Sequence, residues 1–178
     1  MCATRQMWWT RIPGHITSTK PATFYPCRET AMMHEAKSFV VDGLMAEGSE
    51  GVRLCASSCG GCGSVYFPRT VSCRNPDCSS TSLEEKLLEG RGILYSYTIQ
   101  RYQPPNLFRI DNWEPYALGL VDLPEGIRVM GMLSGFDLDN IRIGETVKLI
   151  SECLFTDLER GKVMTYKFAP EITGRDAQ

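Results

Sequence analysis

Histidine is almost missing from this sequence: His15 and His34 are the only two among 178 residues. Acyl transfer and hydrolysis need a nucleophile beside a base, and neither histidine belongs to a recognisable motif. The chain has no Gly-x-Ser-x-Gly elbow, no phosphate loop and no Gly-x-Gly-x-x-Gly following a strand. Acidic residues such as Glu84, Glu85, Asp137 and Asp139 read as solvated turn residues. Nothing here assembles an active site, and a catalytic set is not expected.

Long apolar runs are also lacking. None approaches the roughly 20 residues that span a bilayer, and no apolar stretch stands behind the first positive charges, so neither membrane span nor signal peptide is expected. Basic runs are absent too. The formal net charge is −2, whereas a protein that neutralises several phosphates carries a basic face. Neither a nucleic acid nor a membrane is expected as a partner. The expected location is the cytoplasm, a reducing compartment where clustered cysteines are more often metal ligands than disulfide partners.

What is present falls into zones. Residues 1–54 form an N-terminal extension and a helix candidate. Trp8, Trp9, Phe24 and Tyr25 sit without periodicity among prolines and threonines. From Thr30 as N-cap, Met33, Ala36, Val40 and Leu44 recur at near-helical spacing, predicting a helix over 30–47 that ends at Gly48 and Gly51. Residues 55–86 are rich in cysteine and glycine and too poor in large apolar side chains to build a core. A module of that kind needs a metal or crosslinks. Residues 87–170 turn to β: Ile93, Tyr95, Tyr97 and Ile99 alternate with Leu94, Ser96, Thr98 and Gln100. Tyr116 to Leu123 meets Ile127 to Leu133 across Pro124-Glu125-Gly126, a hairpin. Thr146 to Phe155 and Lys162 to Phe168 follow, joined through Asp157 to Gly161. Five short strands with one longer connection suit an OB-type barrel, with an SH3-like barrel or small sandwich as alternatives. Residues 171–178 form a tail. The predicted fold class is mainly β: an N-terminal helix, a four-cysteine ribbon, then a five-stranded barrel.

The strongest local signal is Cys59-Gly60-Gly61-Cys62-Gly63, followed by Cys73-Arg74-Asn75-Pro76-Asp77-Cys78. Two closely spaced pairs place four sulfurs at the corners of a tetrahedron, which fits Zn²⁺ held by thiolates at about 2.3 Å. Gly60, Gly61 and Gly63 let the chain turn under the metal. Such a closed site leaves no open position for water and is structural. The second pair is wider than the first, so its loop is expected to be wider too. Two disulfides, or iron as in rubredoxin, are the competing readings. Arg69 and Arg74 complement the thiolate charge. Cys153, mid-strand, reads as a buried hydrophobe, and Cys55 as the edge of the preceding element.

From the ribbon the chain runs into Gly90-Arg91-Gly92-Ile93-Leu94-Tyr95-Ser96-Tyr97-Thr98. Then come Pro115 to Leu123, Glu125 to Gly131, and Ile143-Gly144-Glu145-Thr146-Val147. This succession, over roughly residues 33–168, resembles the DUF35 family, whose members join a rubredoxin-like zinc ribbon to an acyl-CoA-associated OB fold. The resemblance implies one structural Zn²⁺ and a thiolase-fold catalytic partner that supplies the nucleophile, in a hetero-oligomer acting on a coenzyme A thioester. Within the family it points to the small subunit of a benzoylsuccinyl-CoA thiolase of anaerobic toluene degradation. An OB-fold subunit of an acyl-CoA hydratase, aldolase or acetyltransferase complex is the alternative. It also makes Arg69, Arg74, Arg91 and Arg101 candidate contacts for coenzyme A or a partner, beside the reading of ordinary surface arginines. Trp113, in the 102–114 loop, is a candidate partner contact, since long aromatic loops often bind something. A nucleic-acid-binding ribbon and barrel, with Tyr95, Tyr97 and Tyr102 stacking on bases, is a reading from another class.

Overall fold

The computed structural model describes residues 37–48, 51–105 and 108–171. Two sheets occupy them. The larger is a closed ring of β6 (Arg91–Gln100), β7 (Tyr116–Asp122), β8 (Arg128–Leu133), β9 (Thr146–Asp157) and β10 (Gly161–Pro170). Antiparallel ladders join β6 to β7, β7 to β8, β9 to β10 and β6 to β9. The parallel pairing of β8 with β10, Met132 opposite Lys167, closes the circle. This is the five-stranded barrel that the turn residues predict. Gly126, at φ 78°, completes the tight β7–β8 turn, where the Leu123 N–H donates to the Ile127 carbonyl at 2.9 Å.

The smaller sheet is built on β3 (Gly51–Cys59). Its first half pairs with β2 (Met45–Gly48), its second with β5 (Leu83–Leu87), and Ser57 and Ser58 pair with β4 (Val65–Tyr66). Met45, Leu54, Ala56 and Leu88 from this region are buried in one cluster with Leu94, Val121, Val147 and Phe168 of the barrel. The sheet bearing the cysteines therefore shares the barrel's hydrophobic core. A segment too poor in apolar residues to fold around itself gains its burial from a neighbour.

The expectation of a helix over 30–47 needs correction. Its first seven positions lie outside the described residues. The remainder is β1 (Lys37–Phe39), a turn, and β2. β1 pairs in parallel with β10, Lys37 opposite Lys162. Gly43, at φ 71°, sits where a helix would need negative φ, and the adjacent β-branched residues Val40 and Val41 lose side-chain freedom in a helix. The near-helical spacing of Val40 and Leu44 was a coincidence of strand, turn and strand.

Two bulges shift the phase of the strands. In β6, Leu94 faces Val121 and Ser96 faces Leu120, leaving Tyr95 extra. One extra residue swaps the faces beyond it. Leu94 is fully buried, Tyr97 and Ile99 pack against the core, and Ile93 and Tyr95 point outward, 45% and 49% exposed. The alternation read through 93–99 thus belongs to two faces. In β9, Leu154 is the extra residue between Phe155 and Cys153. Cys153 is exposed, with its thiol donating to the Phe155 carbonyl at 3.3 Å, and is not the buried hydrophobe that its mid-strand position suggests.

The long β6–β7 connection folds back on β9. Asp111 accepts the Thr156 N–H at 2.7 Å, and Arg109 donates to the Thr156 carbonyl at 2.6 Å. These bonds satisfy backbone groups on a stretch of β9 beyond its ladder to β6, where an open edge would invite another strand.

Candidate metal centre

β3 ends at Cys59, and the chain turns at once. The Gly63 N–H donates to the Cys59 carbonyl at 2.8 Å, with Gly63 at φ 72°, so Cys62 comes round beside Cys59. The second loop approaches from the far side. Cys78 Sγ lies 3.7 Å from Cys59 Sγ, and Cys73 Sγ lies 3.6 Å from Cys62 Sγ. All four sulfurs fall within 4.8 Å of one another. Four thiolates about 2.3 Å from a central ion stand about 3.8 Å apart along each tetrahedral edge. None of these cysteines is in a disulfide, whose sulfurs would be about 2.05 Å apart. The donor set fits a tetrahedral thiophilic metal ion, zinc or iron by chemistry. Cys55, on the same strand as Cys59, is not in the cluster.

Electrostatics tell the same story. The N–H groups of Cys62 and Gly61 lower the Cys59 thiol below its ordinary value. The Ser64 hydroxyl, then the Ser64 N–H, bring Cys62 to about 6. At Cys78 the Ser80 N–H would favour thiolate, but burial and the sulfurs of Cys62, Cys59 and Cys73 outweigh it and push the thiol up to about 11. Crowded sulfurs cannot all ionise without a cation among them. A divalent ion removes that conflict, since it deprotonates the thiols it binds.

The five other candidate residues are not gathered at one place. Arg69 is ion-paired with Glu85 of β5. Arg91 lies 3.0 Å from Glu171, and Arg101 lies 3.9 Å from Asp139. Arg74 is exposed and lines a polar cleft of about 420 Å³ between the two cysteine loops and the β7–β8 turn. Trp113 lines a separate pocket of about 220 Å³ with Pro104, Pro105 and Phe108, and its buried indole N–H has no acceptor among the described residues. Sequence reasoning missed Ser64 and Tyr66, whose hydroxyls contact Cys62 and Cys73 at 3.2 Å each. The only signal for them was proximity to the first cysteine pair.

The family described as the ChsH2 C-terminal OB-fold domain matches residues 85–150, from β5 into β9. A DUF35 domain-containing scaffold protein of Methanothermobacter thermautotrophicus is 32% identical over 120 residues, 66% of this chain and 86% of that protein. The chain belongs to the DUF35 family. Benzoylsuccinyl-CoA thiolase subunit BbsA of Geobacter metallireducens is 32% identical to this DUF35 chain over 110 residues, covering 62% of the chain and 69% of BbsA. Among solved structures, a chain of the Ltp2–ChsH2(DUF35) aldolase superposes with a TM-score of 0.51 at 31% identity, over 66% of this DUF35 chain and 84% of that one. Among the described residues, no helix is long and apolar enough to cross a membrane.

Proposed function

We propose that this chain is a zinc-containing accessory subunit, with no active site of its own, of a thiolase-type complex acting on acyl-CoA thioesters. Benzoylsuccinyl-CoA is the specific substrate to test first. The observation that carries the reading is the similarity to BbsA, which covers 69% of that subunit. The name of the archaeal relatives, scaffold proteins, supports a role in assembly.

The chemistry of the described residues agrees with a partner supplying the nucleophile. The closest approach to a polar catalytic cluster is Ser134, Glu152 and Lys167 on the barrel. Ser134 donates to Glu152 at 2.7 Å, and Lys167 sits 2.9 Å from the other carboxylate oxygen. Burial alone would raise Glu152, but Ser134 and Lys167 hold it below the ordinary carboxylate value. It is therefore a satisfied acceptor and not a base waiting for a proton. A four-thiolate zinc site leaves no coordination position for substrate, so the metal holds the two cysteine loops together.

Docking falls to the loop after β6. Tyr102 and Phe108 are 68% and 65% exposed, and the buried Trp113 indole N–H, with no acceptor among the described residues, invites one from a partner. Aromatic anchors in pockets carry much of the energy of interfaces. A second reading, an aldolase-type partner, is favoured by the likeness to the Ltp2–ChsH2(DUF35) aldolase.

The test is co-expression with a thiolase-fold catalytic subunit, followed by sizing, metal analysis and a thioester-cleavage assay. A stable complex that turns over benzoylsuccinyl-CoA, weakened by Trp113→Ala with zinc retained, supports the proposal. Thioester cleavage by the isolated chain, lost on mutating one of its own residues, refutes it.

A further inference from the structure

The two cysteine loops secure their sulfurs by different means. In the first loop nearby residues serve the sulfurs: the N–H groups of Cys62 and Gly61 serve Cys59, and the Ser64 hydroxyl and then its N–H serve Cys62. The second loop is wider, and the amides of Arg74, Asp77 and Cys78 are turned to acceptors other than sulfur. The Asp77 N–H donates to the Asn75 side-chain oxygen at 3.1 Å, and the Cys78 N–H donates to the Asn75 carbonyl at 3.1 Å. Pro76 has no N–H to give. Cys78 is served from beyond the loop, by the Ser80 N–H.

That leaves Cys73, whose sulfur lies 3.2 Å from the hydroxyl of Tyr66 on β4. The same hydroxyl accepts the Arg74 N–H at 3.0 Å. A metal-bound cysteine is a thiolate with no proton to donate, so in the loaded protein the proton in this contact must come from the tyrosine. With one lone pair engaged by Arg74, the hydroxyl is oriented with its hydrogen free for the sulfur. We propose that Tyr66 is a positioning residue for the metal centre, the donor that sets Cys73, and that it replaces the backbone amides a tighter loop would supply. Its place on β4, laddered to β3 at Ser57, ties the second loop to the strand that carries Cys59. Partners of this kind orient metal ligands and tune their donor strength.

This inference rests on reading the cluster as a metal centre, and the experiment separates the two. The full chain is loaded with zinc or cobalt, as wild type and as Tyr66→Phe, which keeps the ring and removes only the hydroxyl. Metal affinity should fall about 10-fold, the lower end of the usual effect of losing such a partner. The thiolate-to-cobalt charge-transfer band should move to longer wavelength, because a sulfur freed of its hydrogen bond is a stronger electron donor. Iodoacetamide should alkylate Cys73 of the loaded variant several-fold faster, with smaller changes at Cys59, Cys62 and Cys78, since the unbonded thiolate is the better nucleophile. A fluorinated tyrosine at position 66, a stronger hydrogen-bond donor, should shift the band and the Cys73 rate the opposite way. That variant decides the matter if Tyr66→Phe fails to fold. An unmoved band and unchanged Cys73 reactivity, or equal changes at all four cysteines, would overturn the role of Tyr66 while leaving the metal centre standing. A wild-type chain that takes up neither metal overturns both.

Discussion

Adding a methyl group at Gly61 tests how closely the two cysteine loops are fitted together. A Cβ there would stand 2.4 Å from the Ser80 Cβ, 3.0 Å from its Oγ and 3.2 Å from Cys78 Sγ. Carbon atoms at rest sit about 3.5–4.0 Å apart, so the second loop has to retreat by more than an ångström. The atom in the way belongs to the root of a short side chain and cannot rotate aside. Retreat draws the Ser80 N–H away from Cys78 and draws Cys78 away from the tetrahedron. Overpacking of this kind typically costs about 1–3 kcal/mol. If the whole cost falls on the metal-bound state, Gly61→Ala should weaken zinc binding by roughly 5- to 150-fold, at 1.4 kcal/mol per tenfold. Gly60→Ala is the control, because its nearest neighbour is the Ser82 hydroxyl at 3.2 Å, the mobile end of a side chain. It should bind within a few-fold of wild type. Competition for zinc against a chelating dye reads both values. A Gly61→Ala chain that binds as tightly as wild type, or a Gly60→Ala chain damaged equally, would refute the steric argument.

Other outcomes follow from the same geometry. Phe168 is fully buried and stacks edge-on against Tyr166, with ring centroids 6.3 Å apart, so Phe168→Ala should cost about 3–5 kcal/mol in urea unfolding. In the metal-free chain, Cys62 should be the first thiol alkylated at neutral pH, its rate falling as acid protonates it near 6. Because that folded value lies below the ordinary thiol value of 9.0, its contribution to the stability of the metal-free fold is present at alkaline pH and lost on descent through about 6. A mass-mapped pH profile inflecting near 9 would contradict this. Cys153→Ala should leave metal content unchanged by elemental analysis, since its sulfur lies outside the cluster.

The barrel was legible because its turns announce themselves. Gly126 after Pro124-Glu125, and Gly161 after Asp157, are residues whose local chemistry leaves few alternatives; Asp157 accepts the N–H groups of Glu159 and Arg160 at 2.9 and 3.1 Å. The four sulfurs were legible from spacing alone. The bulges at Tyr95 and Leu154 were not, because an extra residue in one strand is defined only against its partner. The segment around Val40 to Leu44 misled for a related reason. The strand before it, Lys37–Phe39, depends on β10, more than a hundred residues later, and no local pattern records that pairing. Tyr66 escaped notice because its role comes from facing Cys73 across a turn, and one tyrosine near a cysteine pair is unremarkable in a linear string.

β10 is paired with three strands at once, to β9 along its length, to β8 near its end and to β1 near its start. During synthesis it is the last of these four to leave the ribosome, and until it does, neither β1 nor the exposed side of β8 has its partner. The four cysteines, by contrast, all lie between residues 59 and 78 and are synthesised while the barrel is still an open meander. Metal capture can thus come early in the life of the chain, and ring closure must come late. A nascent chain stalled before Gly161 would carry its four cysteines tethered to an unclosed sheet, a species with raw strand edges and a need for prompt release or shelter.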